Sequence, residues 1–288
     1  MVLVGGGLAV IIGLTSYALL AYALSRPVGV DVSAYWNAAE RLRAGEPLYL
    51  ATDANASDLY RYAPWFAVAW IPLTYLPQDL VVAAWVGLMI AAAVASTLPL
   101  LWRGLAGWAA FALFMPLQLQ GAVFGNVQPL LVLMLMWAVE RRSGPFWIAI
   151  GASLKATPLA LAVVYAGRGE WRKVAWAGAF TAVLVVPMLL FDLSGYATGP
   201  GPNQISLAGI SPFLFVPVAA ASLIGAFVLA RTRYGWLAGA VAMAATTPRL
   251  LTYQIGYILV GLPWEMLVMR TRKGEASSRQ APELVRDA

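Results

Sequence analysis

The chain has 288 residues, of which 61% are hydrophobic and only 11% charged, with a mean hydropathy of +0.75; this is too little polar surface to coat a water-soluble globule. Its formal charge is +6, and with no Cys and no His, disulfides, thiolate nucleophiles, Cys/His metal sites and imidazole proton shuttles are excluded. Acid–base work falls to Asp, Glu, Lys or Tyr.

Apolar runs of about 20 residues, long enough to span a hydrocarbon core as a helix, recur between short clusters of Arg, Asp, Gly and Pro. They lack the in–out alternation of an outer-membrane barrel, so the expected fold is all-α, a polytopic helical membrane protein. The first segment, Val2 to Leu24, has no basic n-region and no convincing small-residue cleavage site, and reads as a retained helix rather than a secretion signal. The longest polar stretch, residues 26–63, follows as a loop, and within it Val32 to Ala44 reads as a short helix ended by Gly45 and then Pro47. Pro64 to Tyr75 is apolar but short, holds Pro72 and has Trp and Tyr at both ends, the composition of a segment lying at the membrane interface.

Leu80 to Trp102 is predicted to cross inward and Leu105 to Gly121 outward to a turn at Phe124–Gln128; Pro129 to Val139 then returns to Glu140, Arg141 and Arg142. Pro145 to Ala166 is long enough to cross, but basic clusters flank both ends and Lys155 and Pro158 interrupt it. A broken or re-entrant helix reconciles these features. Val174–Phe191, Pro212–Ala230, Gly235–Thr246 and Leu251–Met269 complete about eight or nine crossings. Residues 1–269 form one membrane domain, and the polar tail 270–288 reads as disordered. Most of the 19 basic residues fall in loops assigned to the inner side, the positive-inside pattern. This places both termini in the cytoplasm and loop 26–63 on the outer face of the cell membrane, and it accounts for the net charge without nucleic acid.

Asp31 is the most informative residue, a carboxylate just outside the bilayer where it could act as general base on a substrate delivered by a lipid. Asp is also a preferred N-cap, worth about 1 kcal/mol, and it precedes the short helix; one residue could serve both ends. Asp53 and Asp58 are alternative carboxylates in the same loop, where solvation of the loop explains them equally. Tyr35 lies one turn beyond Asp31 on the same face. Lys155 sits in an apolar segment, where a charge costs about 2.5–3.5 kcal/mol on insertion scales, so it must snorkel, pair or serve a site. No Asp-x-Asp pair or acidic cluster is present, and no metal dependence is expected.

Several motifs carry a resemblance. Gly29-Val-Asp-Val-Ser-Ala-Tyr-Trp-Asn-Ala-Ala39, Ala44-Gly-Glu-Pro-Leu-Tyr49, Tyr60-Arg-Tyr-Ala-Pro-Trp65 and Ile71-Pro-Leu73 are followed by Gly125-Asn-Val-Gln128, Lys155-Ala-Thr-Pro158, Asn203-Gln-Ile-Ser206 and Thr247-Pro-Arg249 with Tyr253. In this order, over roughly residues 25–260, they resemble glycosyltransferase family 87, GT-C-fold mannosyltransferases that use polyprenyl-phosphate mannose. Two features depart from the family pattern. Ile205 splits the Asn-Gln-Ser element, and the chain is shorter than such enzymes are expected to be, so one or more C-terminal helices are expected to be absent.

The resemblance implies transfer of a sugar, mannose by that likeness, from a polyprenyl-phosphate donor to a lipid- or glycan-linked acceptor hydroxyl, with inversion and without a cofactor. Asp31 takes the family's catalytic position. Lys155, Arg61 and Arg249 are candidate contacts to the phosphate, with pairing or interfacial anchoring as the simpler alternatives. Asn126, Gln128, Asn203, Gln204 and Tyr35 are candidate contacts to sugar or acceptor, against turn formation or packing. The competing functions are a transporter or flippase for a lipid-linked sugar and a non-catalytic family member. Acceptor, sugar and oligomeric state are not encoded in any motif.

Overall fold

A computed structural model describes residues 2–50, 59–196 and 205–262, with the side chains of residues 2–10 and 12 outside that description. The described residues contain helices and no strand. Helix α1 (Val2–Leu24) has the predicted bounds and packs along α5 (Gly104–Val123). Between them, α4 (Gln78–Thr97) and α5 form an apolar hairpin, joined by a 3-10 turn at Leu98–Arg103. Among the described residues, Gln78–Val123, Trp171–Leu190 and Pro212–Leu229 are the three helical runs long and apolar enough to cross a membrane. The last two comprise α9 (Trp171–Val185) with a 3-10 extension, and α11 (Pro212–Leu229), which follows the single turn α10 (Leu207–Ile210). Few residues of either run are buried, as expected of helices facing lipid.

Shorter helices fill the interior. These are α6 (Gln128–Ala138), α7 (Gly144–Leu154), α8 (Ala162–Gly167) and α12 (Gly235–Ala245). The interruption predicted within 145–166 is present: α7 ends at Leu154, Lys155 is extended, and a 3-10 turn with Pro158 at its start leads into α8. Leu251–Met269 differs from the expected spanning helix. Its described part, Thr252–Gly261, is a 3-10 helix, held by amides from α5 and α6: Gln128 donates to the Tyr253 carbonyl at 2.7 Å and Gln118 to that of Gly256 at 3.4 Å. Side-chain donors on these carbonyls compensate for the poorer bonding of the tighter coil. The tail 270–288 and the loop carboxylates Asp53 and Asp58 lie outside the described residues.

Two cores are joined by α6. The first is aromatic and packs α2 (Val30–Ala44) over α3 (Pro64–Trp70), with Tyr35, Trp36, Tyr60, Tyr62, Phe66 and Trp70 buried. Helix α2 turns Val32, Tyr35, Trp36 and Ala39 inward, an i, i+3, i+4, i+7 stripe. The segment expected at the interface thus contributes one face to this core, while Val68 and Tyr75 stay exposed. The second core gathers Val132, Leu135 and Met136 of α6 with Ile148, Tyr165, Trp236, Met243 and Tyr257. Adjacent residues Leu131 and Val132 belong one to each core.

Candidate active site

The site grows from a chain reversal. Helix α5 ends in a Schellman motif, with Asn126 N–H on the Gly121 carbonyl and Gly125 N–H on that of Ala122, both at 2.9 Å. Gly125 has φ +73° and Gly29 φ +72°, conformations in which an L side chain is strained. The two glycines also press together: a Cβ on Gly125 would lie 2.4 Å from Val32 Cγ2 and 3.3 Å from Gly29 Cα. This close approach lets Gly29 N–H bond the Val123 carbonyl at 2.8 Å and Asp31 N–H bond that of Phe124 at 2.9 Å. The start of α2 is thereby pinned to the turn after α5. Gly29, rather than Asp31, is the N-cap, and no side chain caps the helix. The capping alternative for Asp31 is therefore replaced by a place in the first turn, where the helix dipole still favours its charge by about 0.3–1 kcal/mol.

Lys155 arrives from α7. The end of that helix is tied to the start of α3 by Ala63 N–H on the Ser153 carbonyl at 3.2 Å and Trp65 Nε1 on Ser153 Oγ at 3.0 Å. The break after Leu154 then turns Lys155 toward the reversal between α5 and α6.

Asn126 is the hub. Its Nδ2 donates to Asp31 Oδ2 at 2.5 Å and to Tyr253 Oη at 3.2 Å, while Oδ1 accepts from Lys155 Nζ at 2.9 Å and from the Gln128 N–H at 3.1 Å. An amide offers two donors and two acceptor lone pairs, and all four are used. The orientation is fixed by charge, since a flipped amide would set oxygen against carboxylate and N–H against ammonium. Lys155 Nζ also lies 5.3 Å from the Tyr253 ring centroid. Asn126, Gln128, Tyr62 and Tyr253 are buried, whereas Asp31, Arg61, Lys155 and Arg249 keep part of their surface accessible. The charged groups thus stay partly accessible, backed by buried amides and aromatic rings.

Burial pushes the Asp31 carboxyl above its ordinary range, and the Asn126 hydrogen bond and the charges of Lys155 and Arg61 pull it partly back. Burial, then the nearby Arg249 charge, lowers the Arg61 guanidinium. Arg61 and Arg249 thus lie close enough to repel, with Arg61 beside the Asp31 carboxylate. Burial and the Asp31 charge hold the Tyr62 hydroxyl protonated.

Of the residues singled out from sequence, Asp31, Asn126, Lys155, Arg61 and Arg249 come together, with Gln128 behind them. Tyr35 lies at the centre of the aromatic core, its hydroxyl 3.1 Å from that of Tyr62 and its ring 5.1–5.2 Å from Tyr62, Phe66 and Trp70. Asn203 and Gln204 lie outside the described residues. The residues after them, Ile205 and Ser206, bond the Leu250 and Pro248 carbonyls at 3.0 and 2.6 Å, on either side of Arg249. Sequence reasoning missed Tyr62 and Tyr253 as site residues. Both sit in motifs quoted for the resemblance, but a Tyr beside an apolar run reads equally as an interfacial anchor.

Comparison with protein families matches residues 60–200 to glycosyltransferase family 87. The matched stretch resembles that family. It covers just under half the chain and holds Arg61, Tyr62, Asn126, Gln128 and Lys155; Asp31, Arg249 and Tyr253 reach the same place from outside it. Family 87 implies a membrane glycosyltransferase, in agreement with the apolar helical fold. No curated protein and no solved structure matches the chain.

Proposed function

We propose that this family 87 chain transfers a sugar, mannose by the likeness of its motifs, from a polyprenyl phosphate to the hydroxyl of a lipid- or glycan-linked acceptor at the outer face of the cell membrane, with inversion. One observation carries the reading. Asp31 has Oδ2 held by Asn126 while Oδ1 takes no hydrogen bond among the described residues, on a side chain that is partly accessible and lies near the Lys155 and Arg61 cations.

In this reading the acceptor hydroxyl gives its proton to Asp31 Oδ1 as its oxygen bonds the anomeric carbon. The bond from that carbon to the phosphate oxygen breaks on the opposite face, and its electron pair leaves with the polyprenyl phosphate. Arg61 and Arg249 meet the charge that develops on the phosphate, so no acid is needed for the leaving group. Asn203 and Gln204 of the outer loop would contact sugar hydroxyls, while Gln128 holds the Tyr253 segment from behind and Tyr35 supports the wall behind Asp31. No metal or cofactor enters the scheme.

The test uses purified protein in detergent micelles with radiolabelled polyprenyl-phosphate mannose and octyl α-mannoside as the probe acceptor, where transport has no meaning. Label should pass to the glycoside, and Asp31→Asn should lower the rate by about 10²–10⁴-fold, the usual contribution of a general base. Near-normal turnover by the variant would end the assignment.

A further inference from the structure

Asp31 and Lys155 carry opposite charges in one site, yet no direct ion pair joins them; the Asn126 amide stands between. A direct pair would occupy the carboxylate with an ammonium and hold its proton affinity low. The amide does something different. Lys155 takes the amide oxygen, which fixes the N–H end on Asp31 Oδ2 and sets the carboxylate plane, so that Oδ1 is left for a substrate proton. The cation still favours the charged carboxylate, but from one amide's length away.

We propose that Lys155 and Asn126 form a positioning relay for Asp31, an amide-bridged ion pair that orients the base and keeps it ionised without covering it, so that Lys155 acts through Asn126 rather than on the donor phosphate. This rests on the general-base reading above and assigns Lys155 a different task from Arg61 and Arg249. The remaining groups facing Asp31 are Arg61 and the hydroxyls of Tyr35, Tyr62 and Tyr253. Among them Arg61 brings a second positive charge, so the relay's effect is read as a shift superimposed on Arg61's. The second lock on the Asn126 oxygen, the Gln128 N–H, is backbone and survives any side-chain change. Loss of Lys155 therefore removes charge and half the clamp while leaving the turn in place.

The experiment has two arms. In the first, transfer from labelled polyprenyl-phosphate mannose to octyl α-mannoside is measured against pH for wild type, Lys155→Met, Lys155→Arg and Asn126→Ser. In the second, the Asp31 carboxyl band is isolated by infrared difference against Asp31→Asn, and its titration midpoint is followed in the same variants. The relay requires that Lys155→Met move both the acid limb and the infrared midpoint upward by about one pH unit, the effect of losing a nearby opposite charge. It also requires a fall in kcat with donor KM held within about twofold. Asn126→Ser should shift the midpoint in the same direction, and Lys155→Arg should restore most of it. An unmoved midpoint in Lys155→Met, together with a donor KM raised tenfold or more, overturns the relay and makes Lys155 a phosphate ligand. Absence of transfer by wild type would sink the sugar-transfer reading instead, and the infrared arm would still decide whether Lys155 and Asn126 govern Asp31. Should Lys155→Met fail to fold, Asn126→Ser and Lys155→Arg carry the same comparison.

Discussion

Asp31 and Glu140 lie near opposite ends of α6, an 11-residue helix roughly 16 Å long, and each has cations and aromatic rings close by. Their environments differ in one respect. Glu140 is in direct contact with Arg168, 3.1 Å from Oε2, and Trp236 Nε1 donates to its Oε1. Arg168 in turn bonds the Ala230 carbonyl at 2.9 Å and stacks over Trp236 at 5.0 Å. Tyr165 closes the group by donating to the Val139 carbonyl at 2.6 Å and packing edge-on against Trp236. Both carboxylate oxygens are occupied, and the pair ties the chain after α6 and α8 to the ends of α11 and α12. Asp31 has one oxygen held and one open, and its cation is kept at a distance by an amide. A carboxylate that staples helices is saturated, whereas one poised to take a proton is not.

The largest separation between the two ends is expected from Asp31→Asn, which should remove transfer by the 10²–10⁴-fold given above while thermal unfolding shows stability held or slightly raised, because a partly buried charge is lost. A drop in melting temperature comparable to that of a core mutation would erase the contrast with Glu140. Gly125→Ala strikes the frame of the site. The positive φ costs about 1–2 kcal/mol, and its Cβ, placed 2.4 Å from Val32 Cγ2, must push α2 away from Asn126. Stability should fall by about 2–3 kcal/mol, and transfer per folded molecule by tenfold or more as Asp31 moves; denaturant titration and initial rates report the two effects.

At the other end, Arg168→Met should lower stability by about 2 kcal/mol, less than for a fully buried pair since the two side chains keep 22% and 31% exposure. Specific activity of the folded fraction should stay within about twofold. Lost activity with unchanged stability would show that this end also serves the chemistry. The smallest effect is the position of the acid limb. A base must be ionised, and burial raises the Asp31 carboxyl, so transfer should fall as pH drops through a midpoint above the ordinary carboxylate value of about 4, by roughly tenfold per unit below it. A carboxylate joined directly to a cation would place the limb below that value, and a pH–rate profile distinguishes the two cases.

How much of this was legible depended on range. The bounds of α1, the stop of α2 at Gly45, the turn at Gly125 and the break between Leu154 and Pro158 follow from short-range rules and could be placed residue by residue. The same rules misassigned two features. They offered Asp31 as an N-cap, although Gly29 holds that position because the chain there must pass against Gly125. They extended a helix over 251–269, where the described part is a 3-10 coil clamped by amides from two other helices. Tyr62 and Tyr253 went unselected because their sequence neighbourhood is that of any interfacial tyrosine.

The sequence by itself determined the class of the molecule and its chemical repertoire: composition forces an apolar helical protein, the lack of His and Cys restricts proton transfer to a few side chains, an Asp follows the first apolar segment, and a Lys stands inside a later one where charge is costly. Only the tertiary structure decided that these two share an amide. The Asn126 side chain meets Asp31 across 95 residues and Tyr253 across 127, and the Glu140–Trp236 bond spans 96. Helix periodicity, caps and turns act over a few residues, whereas contacts of that separation are chosen by how the helices pack, which sums over the whole chain.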